Sequence, residues 1–318
     1  MNTSDIVAVA SRSFSKNEFL RLELLKQYKH VIFNETGKVL EGNDLVQFLQ
    51  NADKAIIALE KIDASILAQL PKLKVISKYG VGLNNLEYQA LNEFGIKLGW
   101  IKGVNKRSVA ELALSFALIL SRKISENNSL LKSGKWQQII GNQLTKKTFG
   151  IIGLGNIGKD LACLLKVFEC EILYYDVNEN IYFNDVSVKA MQLEDLLRES
   201  DIVSLHIPYN NKNHNFLDKT RLALLKKNCI LINTSRGNLI DEEYLLYILK
   251  ENKIAAAGFD VYSSEPNIDT ELLNLENFFG TPHIGGSSLE AIIEMGKAAI
   301  WGLDNYSDIH EFQKEWYV

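Results

Sequence analysis

Apolar residues fall into two rhythms along the chain. Short, nearly continuous runs read as buried strands: DIVAVA (5–10), HVIFNE (30–35), KAIIAL (54–59) and KVISKYG (74–80). Between and after them lie segments with apolar positions at helical spacing, KNEFLRLELLKQY (16–28), ASILAQL (64–70) and NLEYQALNEFG (85–95). Such alternation predicts parallel pairing in an α/β layer, because parallel neighbours need a crossover, usually a helix. A long helix is expected over 105–132, and then the alternation restarts. Strands are expected at 148–153, 170–176, 201–205, 229–233 and 255–260, with helices between, giving one doubly wound sheet over 103–288. SLEAIIEMGKAAIWGLDNY (288–306) predicts one more helix that crosses back to the first lobe. The expected domains are therefore a discontinuous one, 1–102 with 289–318, and a second at 103–288. There is no low-complexity segment and no short repeat.

Composition narrows the class of function. A length of 318 residues fits about two domains, and 47% hydrophobic residues support a sizeable core. A net charge of −4, with acids and bases interspersed and no long basic run, argues against a nucleic-acid surface. Cys163, Cys170 and Cys229 lie in or beside apolar segments and form no CxxC pair. They read as buried, reduced thiols, which suggests the cytoplasm, and no metal is expected. MNTSDIVAVA has no basic n-region and too short an apolar stretch for a signal peptide. LALSFALIL (112–120) is about half a membrane span and reads as a buried helix, so no membrane partner is expected.

The restart of the alternation is where chemistry enters. TFGIIGLGNIG (148–158) is a strand running into a glycine turn. Gly153 suits the tight turn, Gly155 lets backbone approach a pyrophosphate, and Gly158 lets helix and strand pack closely. The helix beginning near Asn156 and Ile157 offers free N–H groups and a positive dipole end to phosphates. A second strand, CEILYYD, ends in Asp176, 18 residues past Gly158. A carboxylate there bonds ribose hydroxyls and repels a 2′-phosphate, and no arginine follows in DVNEN, so the expected cofactor is NAD rather than NADP.

ILINTSRGNLID (230–241) poses a separate problem: a core strand leads to Arg236, with Gly237 behind it letting the chain turn away. A structural arginine normally lies on a solvated face, so this one needs a buried partner or an anionic visitor. Glu265, in DVYSSEP, and His283, in TPHIGG, stand like Arg236 at strand ends or loops on one expected edge of the sheet. Each alone has a bland reading: a solvated turn glutamate, a structural histidine beside proline, and for Asp260 a turn cap. Together, downstream of a dinucleotide turn, they supply what hydroxyl oxidation needs. A histidine moves the proton, a carboxylate stabilises imidazolium, and an arginine holds a substrate carboxylate.

These motifs make the chain resemble the D-isomer-specific 2-hydroxyacid dehydrogenases. The resemblance runs through KYGVGLNNL (78–86), GVNKRSVAELAL (103–114), GIIGLGNIGK (150–159), HIP (206–208), NTSRGNLIDEEYL (233–245), AAGFDVYSSEP (256–266) and TPHIGGSS (281–288). It implies two Rossmann-like lobes with doubly wound parallel sheets and an active site in the interdomain cleft. The lobe built from both termini would be the substrate domain and 103–288 the NAD-binding domain. Carried over by residue, it implies that Arg236 binds substrate and Glu265 pairs with His283, the acid–base. Gly80, Val81 and Gly82 would receive the substrate carboxylate, with Lys78 close by. Asp260 would meet the nicotinamide carboxamide. His206, Ile207, Pro208 and Thr234 would line the adenosine and ribose side, through backbone in the case of His206, and Gly285 of the PHIGG motif would join the cofactor site. It further implies a homodimer through the 105–122 helix region.

Two departures bear on substrate. Asn84 stands where relatives often carry Asp, and an Asn there can still cap the following helix. Family 3-phosphoglycerate dehydrogenases place arginines just before the KID-like segment, whereas this chain has Ile57, Ala58, Leu59 and Glu60 there. No guanidinium is available and Glu60 would repel a phosphate, although Lys78, Lys102 or Lys106 could substitute. The expectation is an NAD-dependent dehydrogenase acting on a D-2-hydroxy acid and its 2-oxo acid. The alternatives are a 3-phosphoglycerate dehydrogenase of serine synthesis and an NAD-sensing, corepressor-like binding protein. Motifs do not name the acid, the physiological direction or the pathway.

Overall fold

The computed structural model describes residues 2–178 and 188–313. Glu179 and Asn180 of the DVNEN stretch, and 314–318 of the first expected domain, lie outside the described residues. The chain divides into two compact units, Met1–Asn105 with Ser288–Val318, and Lys106–Ser287.

In the first unit, strands β1 (Asn2–Val9), β2 (Tyr28–Phe33), β3 (Lys54–Ile57), β4 (Val75–Lys78) and β5 (Lys97–Gly99) form a sheet in the order β2-β1-β3-β4-β5. All its pairings are parallel. Every position of β3 and β4 is buried, as expected for parallel strands covered on both faces, whereas β2 at the edge is largely open. The helix expected over 16–28 is present as Glu18–Leu25, started by Asn17, which is extended and accepts from Leu20 N; a short helix that was not expected, Arg12–Lys16, precedes it, and Tyr28 already begins β2.

The helix Leu289–Gly302 returns to this unit and packs on the sheet. Its small residues permit that. A Cβ on Gly99 would lie 2.0 Å from the Gly302 carbonyl oxygen, and one on Gly296 would lie 2.3 Å from the Leu20 methyls. Ser77 Oγ donates to the Ala299 carbonyl at 2.6 Å. Beyond the helix, Asp304 Oδ1 accepts from Tyr28 Oη and from Lys54 Nζ, both at 2.7 Å, and Lys54 also reaches Asp5 at 3.2 Å. Burial opposes the charge on Lys54, but the hydrogen bonds to Asp304 and Asp5 outweigh it and raise its pKa.

The second unit holds seven strands: β6 (Thr148–Ile152), β7 (Glu171–Tyr175), β8 (Val188–Ala190), β9 (Ile202–Leu205), β10 (Ile230–Asn233), β11 (Ala256–Phe259) and β12 (Phe278–Gly280). Their order is β12-β11-β10-β9-β6-β7-β8, again wholly parallel. The strand order reverses direction at β6, which is where ligands bind in doubly wound sheets. Three adjacent interior strands, β9, β10 and β11, are buried throughout. β5, β8 and β12, three residues each, are additions to the expected set; such short edge strands carry too little periodicity to be read.

The long helix expected over 105–132 is broken. Lys106–Ser121 and Ile124–Lys132 are separate because Lys123 takes a left-handed φ of 54°. The first of them packs closely on the sheet, where a Cβ on Gly258 would meet Leu120 at 2.9 Å and Phe116 at 3.2 Å. No helix among the described residues is long and apolar enough to cross a membrane.

The Lys54 cluster generates a stability test. Lys54→Met removes the cation between two carboxylates and should lower the unfolding free energy by about 1–3 kcal/mol. Urea unfolding followed by tryptophan fluorescence measures it, and an unshifted midpoint would show that the cluster adds nothing.

Candidate active site

The glycine turn has a distinct reason for each glycine. Gly153 has φ 95°, and a Cβ on it would lie 2.8 Å from the His206 carbonyl and 2.7 Å from an Ile207 methyl. A Cβ on Gly158 would lie 2.2 Å from the Gly153 carbonyl oxygen, so helix and turn touch through backbone. A Cβ on Gly155 would meet nothing within 4 Å, which leaves open space over the backbone. The helix Asn156–Leu165 starts there with no side chain capping it, so its first amides face that space.

Asp176, just past β7, closes the turn. Its Oδ2 accepts from Leu154 N at 2.8 Å and its Oδ1 from Asn178 N at 2.9 Å. Each oxygen keeps a further lone pair for a ribose hydroxyl. On the neighbouring strand ends, His206 and Thr234 are both buried, at 9% and 8% exposure. His206 Nε2 lies 2.9 Å from Ser204 Oγ, while His206 Nδ1 and Thr234 Oγ1 are buried without a hydrogen-bond partner. Burial pushes the His206 imidazole down to a pKa of about 3, so it is neutral. Open space above Gly155, uncapped amides, a carboxylate at Asp176 and an orphaned Thr234 hydroxyl together fit a dinucleotide.

Arg236, Glu265 and His283 follow the ends of β10, β11 and β12, three adjacent strands. His283 Nδ1 donates to Glu265 Oε2 at 2.7 Å, which leaves Nε2 as the exchangeable position. Glu265 Oε1 accepts from the Tyr262 N–H at 2.9 Å. Burial works against the Glu265 charge, yet the bonds from His283 and Tyr262, with Arg236 nearby, hold its carboxyl below the usual glutamate range. Burial likewise lowers the pKa of the Arg236 guanidinium, against the charge of Glu265, and its Nη1 donates to the Ser235 carbonyl at 2.6 Å.

The chain does turn at Gly237, which opens the 3-10 turn Gly237–Leu239, but its backbone has no left-handed φ that would call for glycine. Its requirement is close approach: a Cβ would lie 1.8 Å from the Tyr262 carbonyl carbon and 2.1 Å from Ser263 N. The Arg236 segment and the Glu265 loop are therefore packed backbone on backbone.

Asp260 organises the third loop. It is 1% exposed, and its carboxylate accepts from Thr281 Oγ1 at 2.5 Å, Ile284 N at 2.7 Å and Gly285 N at 2.7 Å. Burial raises its pKa in spite of those donors. The Asp260 carbonyl also accepts from His283 N at 2.9 Å, which supports His283 in its left-handed φ of 56°. Ser108 Oγ donates to the Gly285 carbonyl at 2.7 Å.

In the first unit, Gly80 takes φ 117° at the start of the Gly80–Val81–Gly82 turn. Asn84 is not the helix cap expected of it: the following helix, Tyr88–Glu93, has Glu87 at its N-cap and no side-chain capping bond, because it starts three residues later than the Asn84 cap requires. Lys78 is 5% exposed and its Nζ donates to the Ala58 carbonyl, which also accepts from Asn85 Nδ2 at 3.1 Å. Glu60 is wholly buried, and its Oε2 accepts from Ala58 N at 2.7 Å.

A family model described as the NAD binding domain of D-isomer specific 2-hydroxyacid dehydrogenases matches residues 114–285. The chain belongs to that family. NAD is its cofactor, and it is an enzyme of the dehydrogenase class. Among family members, hydroxypyruvate reductase of Thermotoga maritima is 36% identical over 267 residues, 82% of this chain and 87% of that protein. D-3-phosphoglycerate dehydrogenase of Methanocaldococcus jannaschii is 35% identical over 274 residues, 82% of this chain and 52% of that longer protein. A solved structure from Polaromonas sp. JS6 66, assigned to the same family, has TM-score 0.87 at 28% identity and covers 94% of this chain and 95% of that one.

The buried, neutral His206 imidazole predicts acid sensitivity. Its folded-state pKa lies below the ordinary 6.5, so the stability it contributes is present above 6.5 and is lost as pH falls toward about 3. Over that window the unfolding free energy should drop by about 1.4 kcal/mol per pH unit from this group. Urea titrations at stepped pH measure the slope, which His206→Asn should flatten.

Proposed function

We propose that this dehydrogenase interconverts a D-2-hydroxy acid and its 2-oxo acid, with His283 as acid–base, Glu265 as its partner and Arg236 as the substrate-binding cation. The observation that carries the reading is the 2.7 Å bond between His283 Nδ1 and Glu265 Oε2, on the strand end beside Arg236. NAD, when bound, supplies or accepts the hydride. In reduction, His283 Nε2 gives its proton to the carbonyl oxygen as negative charge develops there. Glu265 stabilises the imidazolium beforehand and keeps the ring oriented. Arg236 holds the carboxylate and polarises the adjacent carbonyl. The pyrophosphate is assigned to the amides of Gly155, Asn156, Ile157 and Gly158, and the ribose to Asp176 and Thr234. His206, Ile207 and Pro208 line that side. Asp260 and Gly285 frame the nicotinamide end. In the first unit, the Gly80–Gly82 amides are assigned an anionic oxygen of the acid.

For substrate we favour an unphosphorylated acid of the hydroxypyruvate type over 3-phosphoglycerate. Support comes from the 57–60 stretch, which carries no guanidinium, and from Lys78, whose ammonium is turned inward to Ala58. NADH oxidation with a panel of 2-oxo acids, including 3-phosphohydroxypyruvate, tests this. His283→Ala should lower kcat at least about 100-fold with NADH binding retained, and Arg236→Ala should raise KM as well as lower kcat. A near-parental rate in His283→Ala would overturn the assignment. Preference for the phosphorylated acid would establish the phosphoglycerate reading, and NADH binding without turnover of any acid the sensor reading.

We also propose a homodimer, in the cytoplasm, where the three free thiols would stay reduced; Cys170 and Cys229 are buried as expected, whereas Cys163, on the outer face of its helix, is exposed. The helix Ile124–Lys132 buries none of its side chains, and Trp136 and Ile140 beyond it are 89% and 93% exposed. Leu112, Leu118 and Ile119 of the preceding helix are only half-buried. A second copy covering this face accounts for apolar side chains of that size in water. Light scattering should give twice the chain mass, and Trp136→Glu with Ile140→Glu should shift it toward the monomer.

A further inference from the structure

Two consecutive amides in the loop after β11 are each captured by a carboxylate. The Tyr262 N–H donates to Glu265 Oε1, and the Ser263 N–H donates to Glu242 Oε1 at 2.7 Å. Ser263 Oγ donates to Glu242 Oε2 at 2.5 Å, so both oxygens of Glu242 are engaged by one residue of that loop.

Glu242 opens the helix Glu242–Lys250, six positions after Arg236. A first-turn acid ordinarily serves its own helix. That service is already given by Asp241, the N-cap, which accepts from Tyr244 N at 2.9 Å. Glu242 instead spans from the segment behind Arg236 to the loop that carries Glu265. The span is short because Gly237 lets the backbones meet at Tyr262 and Ser263.

We infer that Glu242 is a positioning residue for the acid–base pair, acting through Ser263 on Glu265 and so on His283. The inference rests on the reading of Glu265 and His283 given under Proposed function. The physical step is rotation of one peptide. Without the Glu242 clamp, the Tyr262–Ser263 peptide turns more freely, which loosens the Tyr262 Cα it shares with the preceding peptide, and the N–H of that peptide holds Glu265 Oε1 less firmly. The Glu265 carboxylate then spends less time aligned with His283 Nδ1, and small misalignments of catalytic groups cost large factors in rate.

The test compares Glu242→Ala, Glu242→Gln and Ser263→Ala with His283→Ala, using the 2-oxo acid found most active in the panel. Kinetics are taken across pH, with NADH binding by fluorescence and thermal melts alongside. Glu242→Ala should lower kcat about 10-fold while NADH affinity holds. The pH above which reduction falls off should move down, because the imidazolium is less well supported. Glu242→Gln keeps an acceptor for the Ser263 N–H and should recover most of the loss. Ser263→Ala removes only the hydroxyl bond and should give a smaller change of the same sign. A Glu242→Ala enzyme that is merely less stable, with parental kcat and pH profile, overturns the inference, provided His283→Ala is inactive. If His283→Ala stays active, the acid–base reading itself falls. If Glu242→Ala does not fold, Ser263→Ala decides by the same criteria.

Discussion

A carboxylate that must stay charged beside an imidazole, in a partly dry place, has to be held by donors on more than one side. Glu265 meets that constraint, and the surrounding loops are arranged to satisfy it. His283 and the Tyr262 amide each take one of its oxygens, and Arg236 adds positive charge. Burial alone would push its pKa up and favour the neutral form. The donors win, and the price is a loop whose backbone cannot move freely.

The parallel sheet makes such an arrangement reachable. Parallel strands about 4.8 Å apart deliver their carboxyl ends side by side, so three loops with little sequence in common arrive at one place. β10, β11 and β12 supply Arg236, Glu265 and His283 in strand order. Two devices then convert proximity into geometry. Gly237 removes a side chain so that the first two loops touch, and Asp260 ties Thr281, Ile284 and Gly285 so that the third is fixed around His283. Neither device needs to touch substrate to matter.

How much of this was legible in the chain follows from how local each signal is. The strand–glycine turn–helix run at 148–158 is a local pattern, and its three glycines serve the turn, the opening and the packing expected of them. The alternation that predicts parallel sheets is also local, and it loses only strands of three residues. What escaped was non-local or conformational. The break at Lys123 is a single left-handed residue inside a continuous helical pattern. The reason for Gly237 lies 25 positions downstream, at Tyr262, and nothing near it distinguishes close approach from a turn. Asp260 on its own reads as a turn cap, and nothing in the sequence singles out Glu242, because the donors to both carboxylates lie in loops distant in the chain.

The 57–60 stretch shows how structure can change an argument while leaving its direction intact. From sequence, Glu60 reads as a charge that repels a phosphate. In the fold it is buried and bonded to Ala58 N, with the Asn85 amide closing the same loop onto the carbonyls of Ala58 and Glu60. Glu60 therefore acts as a brace for the loop, not as an exposed repelling group. Lys78 is drawn into the same brace through the Ala58 carbonyl. Of the two lysines beside this stretch, Lys78 is bonded to the Ala58 carbonyl and Lys61 is paired with Asp63 at 3.1 Å. The case against a phosphorylated acid then rests on what the loop withholds rather than on what it repels.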